Sequence, residues 1–255
     1  MRLLWEDTFD RPVGSAPDPG SWSARTGNWK PGVQQYADAG ARIVAGYPGS
    51  STNHLAVTAR RTADGFESAR IDTRGKREFR PPVLISASMS MPAGAEGVVP
   101  AFWTLGANPA DPENWPEEGE IDIVEWQSNH PVNVGPRLGR ACAQTIHGPS
   151  LGNPKRQAAK GRTTLLELDQ SVGFHTYALY WFPDHIFMTV DGVHTLDVDS
   201  GAFADAGGDW TPFSGAWPHY LLLNVAVDTG MTPRATDASP FPASLLVDWV
   251  RVYAL

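Results

Sequence analysis

Alternation constrains this chain more than any other feature. At residues 83–91, VLISASMSM, Val83, Ile85, Ala87, Met89 and Met91 interleave with Leu84, Ser86, Ser88 and Ser90. A period of two suits a strand with one apolar face. Similar runs rich in β-branched and aromatic residues occur at 54–61 (HLAVTARR), 174–182 (FHTYALYWF), 219–228 (HYLLLNVAVD) and 244–255 (SLLVDWVRVYAL). HIFMTVDGVHTLDV at 185–198 predicts a hairpin turning at Asp191-Gly192, a pair that accepts the positive φ angles of a type I′ turn. Twenty-five glycines and 22 prolines punctuate these runs, and no long stretch carries helical periodicity with caps at both ends. The expected fold is all-β, two antiparallel sheets packed face to face, with little helix. The first and last segments both read as strands, so one domain over 1–255, closed by its own termini, is expected. The stretches 11–20, 106–119 and 147–163 read as loops.

Composition narrows the partners. A formal charge of −8 with no Lys/Arg cluster disfavours nucleic acid and anionic membranes, both of which reward basic patches. No apolar run approaches the roughly 18 residues of a spanning helix, and MRLLWEDTFD turns acidic before a signal-peptide core could form, so a soluble mature form is expected. A single cysteine, Cys142, excludes an internal disulfide and leaves the compartment open. Ten tryptophans are more than a core alone needs, and those on polar loops are candidates for stacking on sugars.

GEIDIVEW at 119–126 threads three acids through apolar residues. On a regular strand Glu120 and Asp122 project together while Glu125 points the opposite way. A β-bulge at Ile123-Val124 would return Glu125 to the same face. Three clustered acids raise one another's pKa values, so one carboxyl can stay ionised while another keeps its proton, the division that glycosidic cleavage needs. Taken without its surroundings, the pattern fits an exposed, solvated strand face equally well.

The surroundings add a resemblance. PAFWTLG at 100–106, WPEEGEIDIVE at 115–125, TIHGP at 145–149, FHTYALYW at 174–181 with VDG at 190–192, LLLNVAV at 221–227 and VDWVRVY at 247–253 resemble glycoside hydrolase family 16, in particular its laminarinase-like endo-β-1,3-glucanase branch. LLWEDTFD at 3–10 is similar to that family's opening strand. The resemblance implies a β-jelly-roll sandwich of the concanavalin-like kind, with a concave sheet forming the substrate cleft. It implies Glu120 as nucleophile, Asp122 as its hydrogen-bonding neighbour and Glu125 as acid/base, and the six-residue spacing EIDIVE is similar to the bulged form of the motif. Retention follows from carboxyls about 5–5.5 Å apart, inversion from about 6.5–9.5 Å; the shorter gap is expected.

Trp103 and Trp115 fall where the family places aromatic platforms; a polar loop favours the ligand for Trp115, while core packing competes for Trp103. The resemblance makes His147 a cleft residue and aligns Arg70 with a family arginine near the cleft, while a surface charge fits Arg70 equally well. Asn224 interrupts an apolar run and either ties the sheet together or contacts sugar. Trp126 is expected in the core, and Trp5, Trp181 and Trp249 are expected to be structural. GPSLG at 148–152 matches a nucleophile elbow, but no helix is expected after Ser150. The histidine spacing does not suit catalytic zinc. No cofactor is expected for catalysis; the resemblance allows a structural calcium on the convex side, with Asp248 as a ligand and backbone oxygens supplying most of the others.

Two blocks depart from the family pattern, GVQQYAD at 32–38 and PPVLISASMS at 81–90. The glycan therefore stays open between β-1,3-glucan, mixed-linkage β-1,3-1,4-glucan and a β-galactan, and a non-catalytic glucan-binding module is the rival class. A monomer acting on a polysaccharide outside the cell is what the resemblance implies.

Overall fold

A computed structural model describes residues 1–29, 32–46, 52–94, 97–108, 114–126, 139–228, 230 and 234–255. In chain order the strands are β1 (Arg2–Asp7), β2 (Ser23–Arg25), β3 (Gly27–Asn28), β4 (Gln35–Tyr36), β5 (Ala41–Val44), β6 (His54–Thr62) and β7 (Gly65–Ser68). There follow β8 (Arg70–Asp72), β9 (Glu78–Phe79), β10 (Val83–Ser90), β11 (Val98–Gly106), β12 (Glu120–Trp126), β13 (Ala141–Ser150) and β14 (Asn153–Leu165). The last five are β15 (His175–Trp181), β16 (His185–Val190), β17 (Val193–Asp199), β18 (His219–Val227) and β19 (Ala243–Ala254).

They form two sheets. One runs β17-β16-β15-β10-β19-β6-β7-β4-β3, with β1 on β19 and β5 on β6; the other runs β14-β13-β12-β11-β18-β8-β2, with β9 on β18. Among the described residues every pairing is antiparallel except the short β4–β7 contact. The expected sandwich is what the chain forms. Its core lies between the sheets, where Phe102, Ile121, Ile146, Leu221 and Leu223 meet Ile85, Tyr177, Leu179, Met188 and Val252, all fully buried. The opening strand pairs with the closing one, Arg2 opposite Ala254 and Asp7 opposite Val250. Asp191 (φ 49) and Gly192 (φ 78) make the turn between β16 and β17 with the positive angles their sequence predicts.

Two expectations change. Residues 147–163 are a hairpin of β13 and β14 rather than a loop, turning at Leu151-Gly152, where Gly152 has φ +76. Strand β14 is a sheet edge with water on much of its surface, so it shows no apolar alternation to read. In β10 both faces are buried: Ser86, Ser88 and Ser90 are 4–6% exposed. The flanking strands β15 and β19 place Arg251 beside Ser86 and Thr176 and Trp249 beside Ser88, and these larger side chains cover the hydroxyls. The one α-helix among the described residues, Ser200–Asp205, starts where the Asp199 carboxylate accepts the Ala202 N–H at 2.7 Å.

Candidate active site

The acidic strand is bulged. Against β11, Glu125 pairs with Ala101, Val124 with Phe102 and Asp122 with Trp103, so Ile123 has no opposite number. Against β13, Asp122 pairs with Thr145 and Glu125 with Ala143, which leaves Ile123 and Val124 facing one residue. The irregularity lies where the spacing of the acids predicts it. Its result is that Glu120, Asp122 and Glu125 all line one groove of about 660 Å³, while Ile121, Ile123, Val124 and Trp126 are fully buried.

Of the other candidates, Trp103, Trp115, Arg70 and Asn224 line the same groove. Trp115 is 48% exposed and donates its Nε1–H to Glu120 Oε2 at 2.8 Å. Trp103, from β11, donates its Nε1–H to Asn224 Oδ1 at 2.7 Å. Asn224 also bonds the Tyr36 side chain, so it links side chains from three segments of the groove. Arg70 lies opposite Asn224 across β8 and β18. Its guanidinium is 4.0 Å from the Trp29 ring centroid and 4.9 Å from that of Trp103, a cation held between two indole rings. His147 stands directly opposite Glu120 on β13. Its Nε2 is 3.1 Å from Asp122 Oδ2, in poor line for a hydrogen bond, and its Nδ1 faces the Gln157 amide nitrogen.

Burial dominates the electrostatics. It raises Glu120 well above the ordinary carboxyl range, and the neighbouring Asp122 charge raises it further, while His147 and the Trp115 hydrogen bond pull the other way. Asp122 is likewise raised by burial and then by Glu125. Glu125 is raised to about 7, by burial first and by Glu120 second. Three carboxyls so close cannot all ionise at neutral pH, and the group retains protons there. Burial also lowers Arg70, partly offset by Tyr36, Tyr220, Asp72 and Glu120.

Several residues in or behind the groove gave no signal in the sequence. Asp72, from β8, takes Arg25 through both Nε and Nη2. Trp29 and Gln157 reach the site from distant segments. Gln144, fully buried, donates its Nε2–H to the Ile123 carbonyl at 2.8 Å inside the bulge.

Glu120, Asp122 and His147 are the one grouping of metal-type ligands among the described residues, with ligand atoms within 4.8 Å of one another. Asp248 lies in the other sheet. Its Oδ1 is 3.2 Å from His54 Nδ1 and 3.4 Å from Thr52 Oγ1. Calcium takes six to eight oxygens. Among the described residues no group of three or more acidic, histidine or cysteine side chains forms at Asp248, so a calcium shell there would have to draw its other oxygens from backbone carbonyls and water.

Comparison with known proteins places this geometry. Residues 45–213 match the model of glycosyl hydrolases family 16. The chain is 29% identical to a beta-glucanase of Rhodothermus marinus over 98% of this chain and 84% of that protein. It is 27% identical to glucan endo-1,3-beta-glucosidase A1 of Niallia circulans over 99% of this chain, but spans only 38% of that relative's length. Among solved structures, the endo-beta-1,3-glucanase of Pyrococcus furiosus superposes with a TM-score of 0.80 at 31% identity, covering 99% of this chain and 94% of the other. A match over most of the sequence, joined to the sandwich and its bulged acidic strand, leads to one conclusion: the chain belongs to glycosyl hydrolases family 16.

Proposed function

We propose that this chain is a retaining endo-glycosidase that hydrolyses internal β-1,3 linkages of a glucan. The observation that carries the reading is the bulge, which brings Glu120, Asp122 and Glu125 together in a groove that Trp103 and Trp115 also line. The relatives of similar length that act on β-glucans support the linkage.

In this reading Glu120 attacks the anomeric carbon as the bond to the departing oxygen breaks. Glu125 gives that oxygen its proton. A glycosyl ester on Glu120 results. Glu125, now ionised, takes a proton from water as the water oxygen attacks the same carbon and releases Glu120. The hydrogen bond between Glu120 and Asp122 raises Glu120 and lowers Asp122, so the resting proton favours Glu120; in this reading it passes to Asp122 as Glu120 becomes the attacking anion. Carboxyls supply both the nucleophile and the proton, so the chemistry calls on no cofactor. At Asp248 the neighbours favour an arrangement without metal. The indoles of Trp103 and Trp115 offer apolar faces to the C–H sides of sugar rings. In this reading the enzyme meets its polymer outside the cell and acts as a monomer.

The test is a polysaccharide panel of laminarin, lichenan and a galactan, read by product size, with Glu120→Gln as control. Laminarin should yield oligosaccharides of mixed length from the start, and Glu120→Gln should lose roughly 10³-fold or more in kcat. Preference for galactan would overturn the linkage, and wild-type turnover in Glu120→Gln would overturn the nucleophile.

A further inference from the structure

A bulge interrupts the backbone ladder. In β12 it sets Ile123 and Val124 against the single residue Gln144 of β13, and Ile123 is fully buried. A buried carbonyl that has lost its ladder partner needs another donor. The Gln144 amide supplies it, Nε2–H to Ile123 O at 2.8 Å.

The placement of that amide is unusual. Along β13, Ala143, Thr145 and His147 face the cleft side, while Cys142, Gln144 and Ile146 point into the core. Cys142 and Ile146 are apolar. Gln144 is not, and its Oε1 is buried without a hydrogen-bond partner. Gln144 thus satisfies one acceptor and strands another, so on hydrogen-bond count it gains nothing for folding over an apolar side chain of the same size. What it changes is where the unmet acceptor sits. With Gln144 present the backbone at Ile123 is tied down, two residues before Glu125.

We propose that Gln144 is a positioning residue for the reaction: its amide fastens the Ile123 carbonyl and thereby sets the bulge that holds Glu125 in place relative to Glu120. The inference rests on the roles given above to those two glutamates. Without the tie, the peptide after Ile123 is free to rotate and carry Glu125 with it. Small displacements of a reacting group cost rate far more than binding.

The experiment compares Gln144→Met, of similar size but with no donor, with Gln144→Glu. Burial keeps a carboxyl at this position protonated, so its O–H can replace the amide donor. Gln144→Met should keep KM within about threefold and lose roughly 10–100-fold in kcat. The alkaline limb of kcat/KM should move to lower pH, because a Glu125 that has drifted from Glu120 is better solvated and less repelled. Gln144→Glu should recover most of the lost rate. Turnover of Gln144→Met within about twofold of wild type, with an unmoved pH profile, would show a core filler and overturn the proposal, whatever the change in melting temperature. If the wild-type chain cleaves nothing in the panel, it is the functional reading that fails. Crystal structures of wild type and Gln144→Met then decide the positioning role: a displaced Glu125 carboxyl supports it, and an unmoved one overturns it.

Discussion

Trp115 donates its indole N–H to Glu120 Oε2 at 2.8 Å from a ring that is half exposed in the groove. One side chain therefore does two things, offering a platform to sugar and steadying the carboxylate proposed to attack it. Trp115→Phe separates them. The phenyl ring keeps most of the platform, so KM should change by about threefold or less. The lost hydrogen bond favoured the ionised form of Glu120, so its pKa should rise and the acid limb of kcat/KM should move to higher pH. kcat should fall about tenfold, as expected for one hydrogen bond to a charged group. A large KM effect with an unmoved acid limb would make Trp115 a platform alone.

The alkaline limb should belong to Glu125. Its carboxyl is raised to about 7 by burial and by Glu120, and the proposed chemistry needs it protonated to release the leaving group. kcat/KM should therefore fall as pH rises through about 7. Glu125→Ala should abolish that limb. On an activated aryl glycoside, which needs no proton at its leaving oxygen, the variant should still form the glycosyl ester, and added azide should release it as a β-glycosyl azide. An α-azide product would contradict retention.

Much of this site could be read in the sequence because its key irregularity is local. Three acids at the spacing of EIDIVE have one simple way to share a face, and Ile123-Val124 is the apolar pair where the extra residue can hide. The partners that complete the site are long-range and leave no local trace. Gln144 reaches Ile123 from the next strand, and Arg70 is enclosed by Trp29 and Trp103 from separate segments. The same limit explains the strands. Central β10 was legible through its alternation, but the burial of Ser86 and Ser88 depends on Arg251 and Trp249 one strand away. Edge strand β14, with PKRQ near its start, has no apolar face to betray it.

Calcium should not stabilise the fold through Asp248. Asp248 Oδ1 is turned to His54 and Thr52, and in the proposed metal-free arrangement those two neighbours hold the carboxylate. Melting temperatures in millimolar calcium and in excess chelator should agree within about 1 °C. A calcium-dependent rise of several degrees would correspond to about 2 kcal/mol or more of binding, and would mean that the His54 contact gives way to an oxygen shell.

Stability should depend on pH through two opposed groups. His219 is buried between Thr104 Oγ1, 2.9 Å from Nδ1, and the Pro212 carbonyl, 3.2 Å from Nε2. Burial lowers its pKa to about 3, so between its unfolded value near 6.5 and that figure the unfolded chain binds more protons. Stability is then lost as pH falls, by roughly 2 kcal/mol at about pH 5. Glu125 acts in the other direction. Its folded pKa of about 7 exceeds its unfolded value, the folded chain binds more protons in between, and stability is lost as pH rises through that window. His219→Gln should melt lower than wild type at pH 7, where it weakens a satisfied buried pair, yet lose less on going to pH 5. Glu125→Gln should raise the melting temperature by several degrees at pH 8 and by little at pH 4.5, since only the ionised carboxyl is costly to bury. Parallel melting curves of the three proteins across pH would contradict both assignments, because a group that titrates identically folded and unfolded contributes no slope.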